Sequence, residues 1–380
     1  MTDPDLFAGL YARGGAAEQV STMAWLQALL DVEAALARAC ADEGMISAAA
    51  AEAIAAACAA ERFDAGELAS EAARHATPVI GLVRALRAAV GESHADAVHL
   101  GATSQDILDT ALMLIAQRAL ASLLADAAAA ADAAAALVRV HRGTEMVGRT
   151  LLQQALPVPF GLRAAGWLVG LDEARGRLDQ VRREQLAVQM GGPVGARAPA
   201  VAERVAAELG LATPILPWGA IRVRPAQLAG ALGVLAGVVA KVARDVTLLA
   251  AQEVGEVAEG GGDDRGGSSA MAHKRNPVAA VSALACAKRV PALVGTALAL
   301  MEQEHERAAG AWQAEWGTYS ELIALTGSAT AWARELLEEL DVDPARMTGN
   351  LERAALPDST DADGQELIDR ALSAHRSWAP

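Results

Sequence analysis

Between Gly266 and Pro277 the chain reads Gly266-Gly267-Ser268-Ser269-Ala270-Met271-Ala272-His273-Lys274-Arg275-Asn276-Pro277. Two hydroxyls, an ammonium and a carboxamide crowd this run, which follows directly on the glycine-rich stretch 259–265. Glycine lets backbone N–H groups turn inward and lets a loop close over a ligand. A serine held among such donors, with Lys274 nearby, could exist partly as an alkoxide and work as a base on carbon. The same residues also read as a plain surface loop leading into a helix near Pro277.

Two further segments carry polar groups at telling positions. In His99-Leu100-Gly101-Ala102-Thr103-Ser104-Gln105-Asp106, the hydroxyls and Asp106 read as a helix start, because they suit free N–H groups and the positive helix end. The same N–H groups and hydroxyls could bind a carboxylate instead. The other segment is Gly148-Arg149-Thr150-Leu151-Leu152-Gln153-Gln154-Ala155-Leu156-Pro157. Downstream, Trp312 and Trp316 stand four residues apart and read by themselves as a core or interface stripe.

The elements that must position these groups are helices. The chain is 53% hydrophobic but only 3% aromatic, so its core is built from Ala, Leu and Val, whose small size lets helices approach closely. Apolar residues recur at helical spacing, as in 25–36, and β-branched alternation is nearly absent. The expected class is all-α. Residues up to 93 form shorter helices broken near Gly14-Gly15, Gly44, 63–66 and Pro78. Long helices are expected over 106–140, 160–189, 225–256, 277–304 and 306–340. This divides the chain into an N-terminal helical domain at 1–93, a central long-helix domain at 94–340 and a short C-terminal remnant at 341–380. Helices of this length need other long helices to bury their faces.

A net charge of -15 argues against nucleic acid as a partner. An acidic ligand would have to be met by a local cluster, for which Lys274, Arg275, Arg149, Arg222 and Arg307 are candidates. Cys40, Cys58 and Cys286 lie in alanine-rich helical contexts and read as reduced packing residues. The start at Met1-Thr2-Asp3-Pro4-Asp5 lacks the features of a signal peptide, and the apolar stretch 228–240 is too short to span a bilayer. The expected location is cytoplasmic, with no membrane partner. No metal or dinucleotide motif occurs, so no cofactor is expected.

The string Gly267-Ser268-Ser269-x-Met271-x-x-Lys274-x-Asn276 resembles the signature of the fumarase/aspartase superfamily. Thr103-Ser104-x-Asp106 and Thr150-x-x-Gln153 resemble its two other site regions, although Leu151 stands where most members have histidine. That histidine assists poor leaving groups, whereas a carboxylate leaves without a proton donor. The combination, with Gln303-Glu304-His305-Glu306-Arg307, resembles the 3-carboxy-cis,cis-muconate cycloisomerase branch. Gly191 to Ala200 also resembles a family loop. Trp218 and Arg222 fit the branch, but Gly219 and Ala220 depart from its usual His-Thr.

The resemblance implies a long five-helix bundle that assembles into a twenty-helix homotetramer, each site drawing its regions from three subunits. It implies reversible lactone formation in a tricarboxylate from aromatic degradation. Ser268 would move the carbon-bound proton, and Lys274 and Asn276 would stabilise the growing negative charge. His99, Thr103, Ser104, Arg149, Thr150, Gln153, Ser269, Met271, His273 and Arg307 would surround the substrate. An adenylosuccinate-type lyase and a catalytically silent helical assembly are the alternatives. Leu151 and the 310–316 stretch, which lacks a phosphate site, speak against the first. The intact Ser268, Lys274 and Asn276 speak against the second.

Overall fold

The computed structural model describes residues 6–260, 266–267, 270–271, 274–356 and 364–377. Among them the short helices come first: α1 (Ala8–Tyr11), α2 (Thr22–Asp42), α3 (Ala48–Ala57), α4 (Ala65–His75) and α5 (Val79–Val90). The starts of α2, α3 and α4 are set by side chains that accept otherwise orphaned N–H groups. The Ser21 hydroxyl accepts from Ala24, that of Ser47 from Ala50, and the Asp64 carboxylate from Gly66 and Glu67.

The long helices follow as α6 (Ser104–Val140), α7 (Phe160–Glu184), α9 (Val223–Leu249), α10 (Val278–Ala299) and α11 (Ala311–Glu338), with α8 (Pro199–Leu209) in the α7–α9 connection. Two short helices, α12 (Pro344–Ala354) and α13 (Gln365–Arg376), complete the set. α6 lies in the middle, packed on α2, α7 and α11, and its alanines Ala127, Ala130, Ala131, Ala134 and Ala135 are buried. A helix apolar on all sides belongs inside a bundle.

The five long helices alternate in direction. The starts of α6, α9 and α11 meet where Arg222, which caps α9, bonds Asp109 of α6 and Glu315 of α11. α7 ends there too, since Arg224 donates to the carbonyls of Glu184 and Gln185. At the other end, the N–H groups that open α10 donate to Glu259 at 2.9 and 2.8 Å. There the end of α11 also approaches, with Gly260 N–H donating to the Glu339 carbonyl. The two ends are called proximal, where α6 starts, and distal, where it finishes. The helix of 37 residues puts them about 55 Å apart.

The molecule is mostly helical, as expected, with two departures in detail. Two antiparallel strand pairs occur: β1 (Glu145–Thr150) with β2 (Gln153–Pro159), and β3 (Val257–Glu259) with β4 (Leu340–Val342). β3 and β4 span three residues each, β2 carries Pro157 and Pro159, and β1 buries its residues without strict alternation, so the sequence shows no clear strand pattern. Several helices are also shorter than expected: α7 stops at Glu184, α9 at Leu249 and α10 at Ala299, while α11 starts only at Ala311. The residues released in this way build the turns around the polar groups described below.

One continuous apolar core runs from Leu30 and Leu36 of α2 through Leu120 of α6 to Met347 of α12 and Ile368 of α13. The apolar stretch 228–240 lies inside a helix of 27 residues, so its reading as too short for a bilayer is corrected: α6, α9 and α10 each have the length and hydropathy to cross one. In the fold, 72%, 56% and 39% of their most apolar windows are buried against other helices. Cys40, Cys58 and Cys286 are free thiols.

Candidate active site

At the proximal end the structure gathers His99, Thr103, Ser104 and Arg307. Thr103 caps α6 in an extended conformation, and Asp106 one turn in accepts its N–H at 3.2 Å. Asp106 is fully buried and ties the helix start to the 189–192 loop. It accepts from Gly191 N–H at 3.0 Å, Gly192 N–H at 2.8 Å and the Gln189 amide at 3.3 Å. Burial penalises the ionised carboxylate and pushes Asp106 up to about 6, against the pull of the Gly192, Gly191 and Thr103 N–H groups and the charge of Arg307. The folded state thus holds this proton more tightly. Asp106 alone therefore makes the fold less stable as pH rises from the ordinary carboxylate range to about 6, with no further effect above that.

Arg307 reaches the same loop from the 300–310 turn. It donates to the Glu306 carbonyl at 2.6 Å and to the Gly192 carbonyl, and its Nε is buried without a partner. Among the described residues it forms no ion pair, so its positive charge stands beside the positive end of α6 with only buried Asp106 as counterweight. That is a field for an anion. Gly219 makes this placement possible: a Cβ there would lie 2.7 Å from Arg307 Nη1. The turn carrying Gly219 is bolted in place, because the Gln189 amide oxygen accepts from Trp218 and Gly219 N–H at 2.7 and 3.1 Å.

Arg222, a candidate ligand cation in sequence, is a structural hub. It is 2% exposed and paired with Asp109 and Glu315, and Asp109 also accepts from Trp312 Nε1 at 3.0 Å. Breaking such a buried network by removing one partner costs about 3–5 kcal/mol. Trp312 and Trp316 pack edge to face with centroids 5.0 Å apart. Trp316 packs against Trp312, which also donates into the Asp109 network.

The other candidates lie at the distal end. Thr150 and Gln153 form the last rung of the β1–β2 hairpin, whose two-residue tip is Leu151-Leu152. Both tip residues have left-handed backbone, φ 49° and 64°, and Leu151 is 96% exposed. Arg149 bonds the buried carboxylate of Glu256 through both terminal nitrogens, at 2.9 and 2.8 Å. Its charge is balanced within the fold by that carboxylate, and its side chain remains partly exposed. Lys274 is exposed, and its N–H donates to the carbonyl of Met271, which is 44% exposed. Asn276 closes this loop: its N–H and its amide donate to the Gly266 carbonyl at 2.8 and 3.0 Å. Gly266, at φ 73°, has no room for a Cβ, which would sit 2.4 Å from the backbone carbonyl oxygen of Asn276. Ser268, Ser269 and His273 lie outside the described residues.

The chain therefore carries two separate groups of candidate residues, an anion-attracting turn and a loop with an ammonium, separated by the length of the bundle. Sequence reasoning missed Glu33, which bonds His99, and took Asp106 only as a helix-end acid. The signal for Glu33 was available. It falls on the same helical stripe as Leu26, Leu29 and Leu36, where a carboxylate must find a partner.

Residues 13–292 match the model of the lyase family. The chain is 50% identical over 336 residues to the 3-carboxy-cis,cis-muconate cycloisomerase of Bradyrhizobium diazoefficiens, covering 86% of this chain and 74% of that protein. It is 43% identical over 350 residues to the nitrosuccinate lyase of Streptomyces davaonensis, covering 88% and 74% respectively. The crystal structure of the 3-carboxy-cis,cis-muconate lactonizing enzyme from Pseudomonas putida superposes with a TM-score of 0.87 at 39% identity, covering 98% of this chain and 86% of that one.

Proposed function

The chain belongs to the lyase family of the fumarase/aspartase superfamily, and from that premise we propose that it is a cycloisomerase interconverting 3-carboxy-cis,cis-muconate and carboxymuconolactone. The observation that carries the reading is 50% identity over 86% of the chain to a cycloisomerase of that substrate. The chemistry of position 151 agrees with it. An apolar leucine offers no proton, and a carboxylate, with a pKa near 4, needs none to leave or add.

In the forward direction a substrate carboxylate adds to the ring-forming carbon while a proton is delivered beside another carboxylate. In reverse, Ser268 takes that proton. Lys274 and Asn276 stabilise the enediolate-like charge that grows as the C–H bond breaks. Thr103, Ser104 and Gln153 hold the remaining carboxylates, with Arg307, His99, Thr150, Ser269, Met271 and His273 around them. The reaction is an isomerisation, so atoms and electrons balance within the substrate.

The same proposal includes a homotetramer with shared sites and a cytoplasmic location. The tetramer is supported by the distance between the two groups of candidate residues and by exposed apolar side chains on the bundle helices, such as Val234, Leu248, Val281 and Leu298. The free thiols support the location. The division at 93 and 340 belongs to this reading too.

A second reading, elimination from a nitrosuccinate-like substrate, is favoured by the Streptomyces relative. Nitrite is also a weak base, so Leu151 does not separate the two. The test is to follow the ultraviolet spectra of 3-carboxymuconate, nitrosuccinate and adenylosuccinate separately with the purified protein. Turnover of the muconate is expected to exceed the others by orders of magnitude, and Leu151→His is expected not to raise it. Preference for either succinate would overturn the cycloisomerase reading.

A further inference from the structure

His99 opens the turn that leads into Thr103, and its ring is tied to a different part of the chain. Its Nδ1 lies 2.6 Å from Oε1 of Glu33 on α2. Glu33 is 1% exposed, between the buried residues Val32 and Ala34, and its second oxygen is buried without a hydrogen-bond partner. The His99 side chain reaches solvent, being 15% exposed, and its backbone is left-handed at φ 62°. A second brace holds the same turn, because Arg197 donates to the Leu100 carbonyl at 2.9 Å.

We propose that Glu33 is a positioning residue of the active site, fixing the His99 ring so that Nδ1 carries a proton and Nε2 faces the substrate. Burying a carboxylate on an apolar helix face is unfavourable unless its acceptor sites are filled. Here the side-chain bond goes to a single imidazole, and one oxygen is left unfilled. A purely structural tie would be better served by an apolar residue at 33. The arrangement instead resembles the buried acids that orient functional histidines: the acceptor on Nδ1 sets the tautomer and the ring plane. Nε2 makes no hydrogen bond among the described residues. It accepts when the ring is neutral and donates when the ring is charged. Glu33 is remote in sequence from every signature residue, so only the fold brings it to the site.

The role of His99 at the substrate belongs to the proposed function; the tautomer does not, which allows two separate tests. In the first, the intact protein is labelled with 15N-histidine, and the His99 signals are assigned by their loss in His99→Gln. The neutral ring is expected in the Nδ1–H form, reverting toward the ordinary Nε2–H form in Glu33→Gln. An Nε2–H ring in the unaltered protein overturns the inference whether or not the protein turns over muconate.

The second test is a double-mutant cycle on muconate turnover. Glu33→Gln is expected to lower kcat/KM about tenfold, the size of one misplaced hydrogen bond. It should do so with helix content and oligomeric state unchanged, and should cost nothing further in a His99→Ala background. An equal loss in both backgrounds, accompanied by a lower melting temperature, overturns the positioning role and makes Glu33 a packing residue. Absence of turnover in the unaltered protein overturns the proposed function and leaves the labelled-histidine result to decide the role of Glu33.

Discussion

Gly219 and Arg307 share one volume, and the chemistry of the proximal group depends on which of them fills it. The family resemblance suggests a histidine at 219, and the glycine found there lets the guanidinium lie against the turn. A Cβ 2.7 Å from Nη1 would push the guanidinium away from the Gly192 carbonyl. Gly219→Ala is therefore expected to raise KM for the tricarboxylate about tenfold with little change in kcat, since a charge-assisted hydrogen bond contributes about 1.5–3 kcal/mol. Steady-state kinetics check this. An unchanged KM would remove Arg307 from the substrate contacts. Gly219 is also legible in sequence only as a departure from a pattern; its meaning depends on an arginine that follows it by nearly ninety residues.

At the scale of the element, the β1–β2 hairpin carries strain at its tip. A two-residue loop with positive φ at both positions favours Asn-Gly, and each left-handed non-glycine residue costs about 1–2 kcal/mol. Leu151 and Leu152 occupy it instead, with Leu151 almost fully exposed. Exposed apolar side chains on a strained turn point to a role outside the subunit's own fold. Leu151→Asn combined with Leu152→Gly is thus expected to raise the melting temperature of dissociated subunits while lowering muconate turnover at least tenfold. Thermal melts beside activity assays decide it. Retained turnover would mean that the tip serves no function in the assembled protein.

For the whole molecule, the decisive fact is the distance between the two groups of candidate residues. Thr103 and Ser104 begin α6, whereas Thr150, Gln153, Lys274 and Asn276 lie beyond its far end, about 55 Å away. A substrate of molecular size cannot touch both within one chain, but symmetry-related copies can bring unlike ends together. Ser104→Ala mixed with Ser268→Ala after reversible dissociation is expected to regain activity, because some sites then contain neither lesion. If mass measurements show that subunits have exchanged and no activity returns, the shared-site model fails.

The helical class, the five long helices and the three polar segments could all be read from the chain, because helical periodicity and short motifs are local properties. The start of α6 at Thr103-Ser104 was legible for the same reason: capping involves neighbours one turn apart. Helix ends were less legible. α9 stops at Leu249, beyond which Glu256 pairs with Arg149, and α11 starts only at Ala311, after the turn from which Arg307 reaches the Gly192 carbonyl. Tertiary structure alone decided the fate of the charges. Arg222 and Arg149 look in sequence like free cations, and each is neutralised by a carboxylate distant along the chain. Arg307 is left without such a partner among the described residues, and Glu33 is joined to His99. An ionisable side chain's role follows from what surrounds it after burial, and those surroundings come from segments that meet only when the bundle forms.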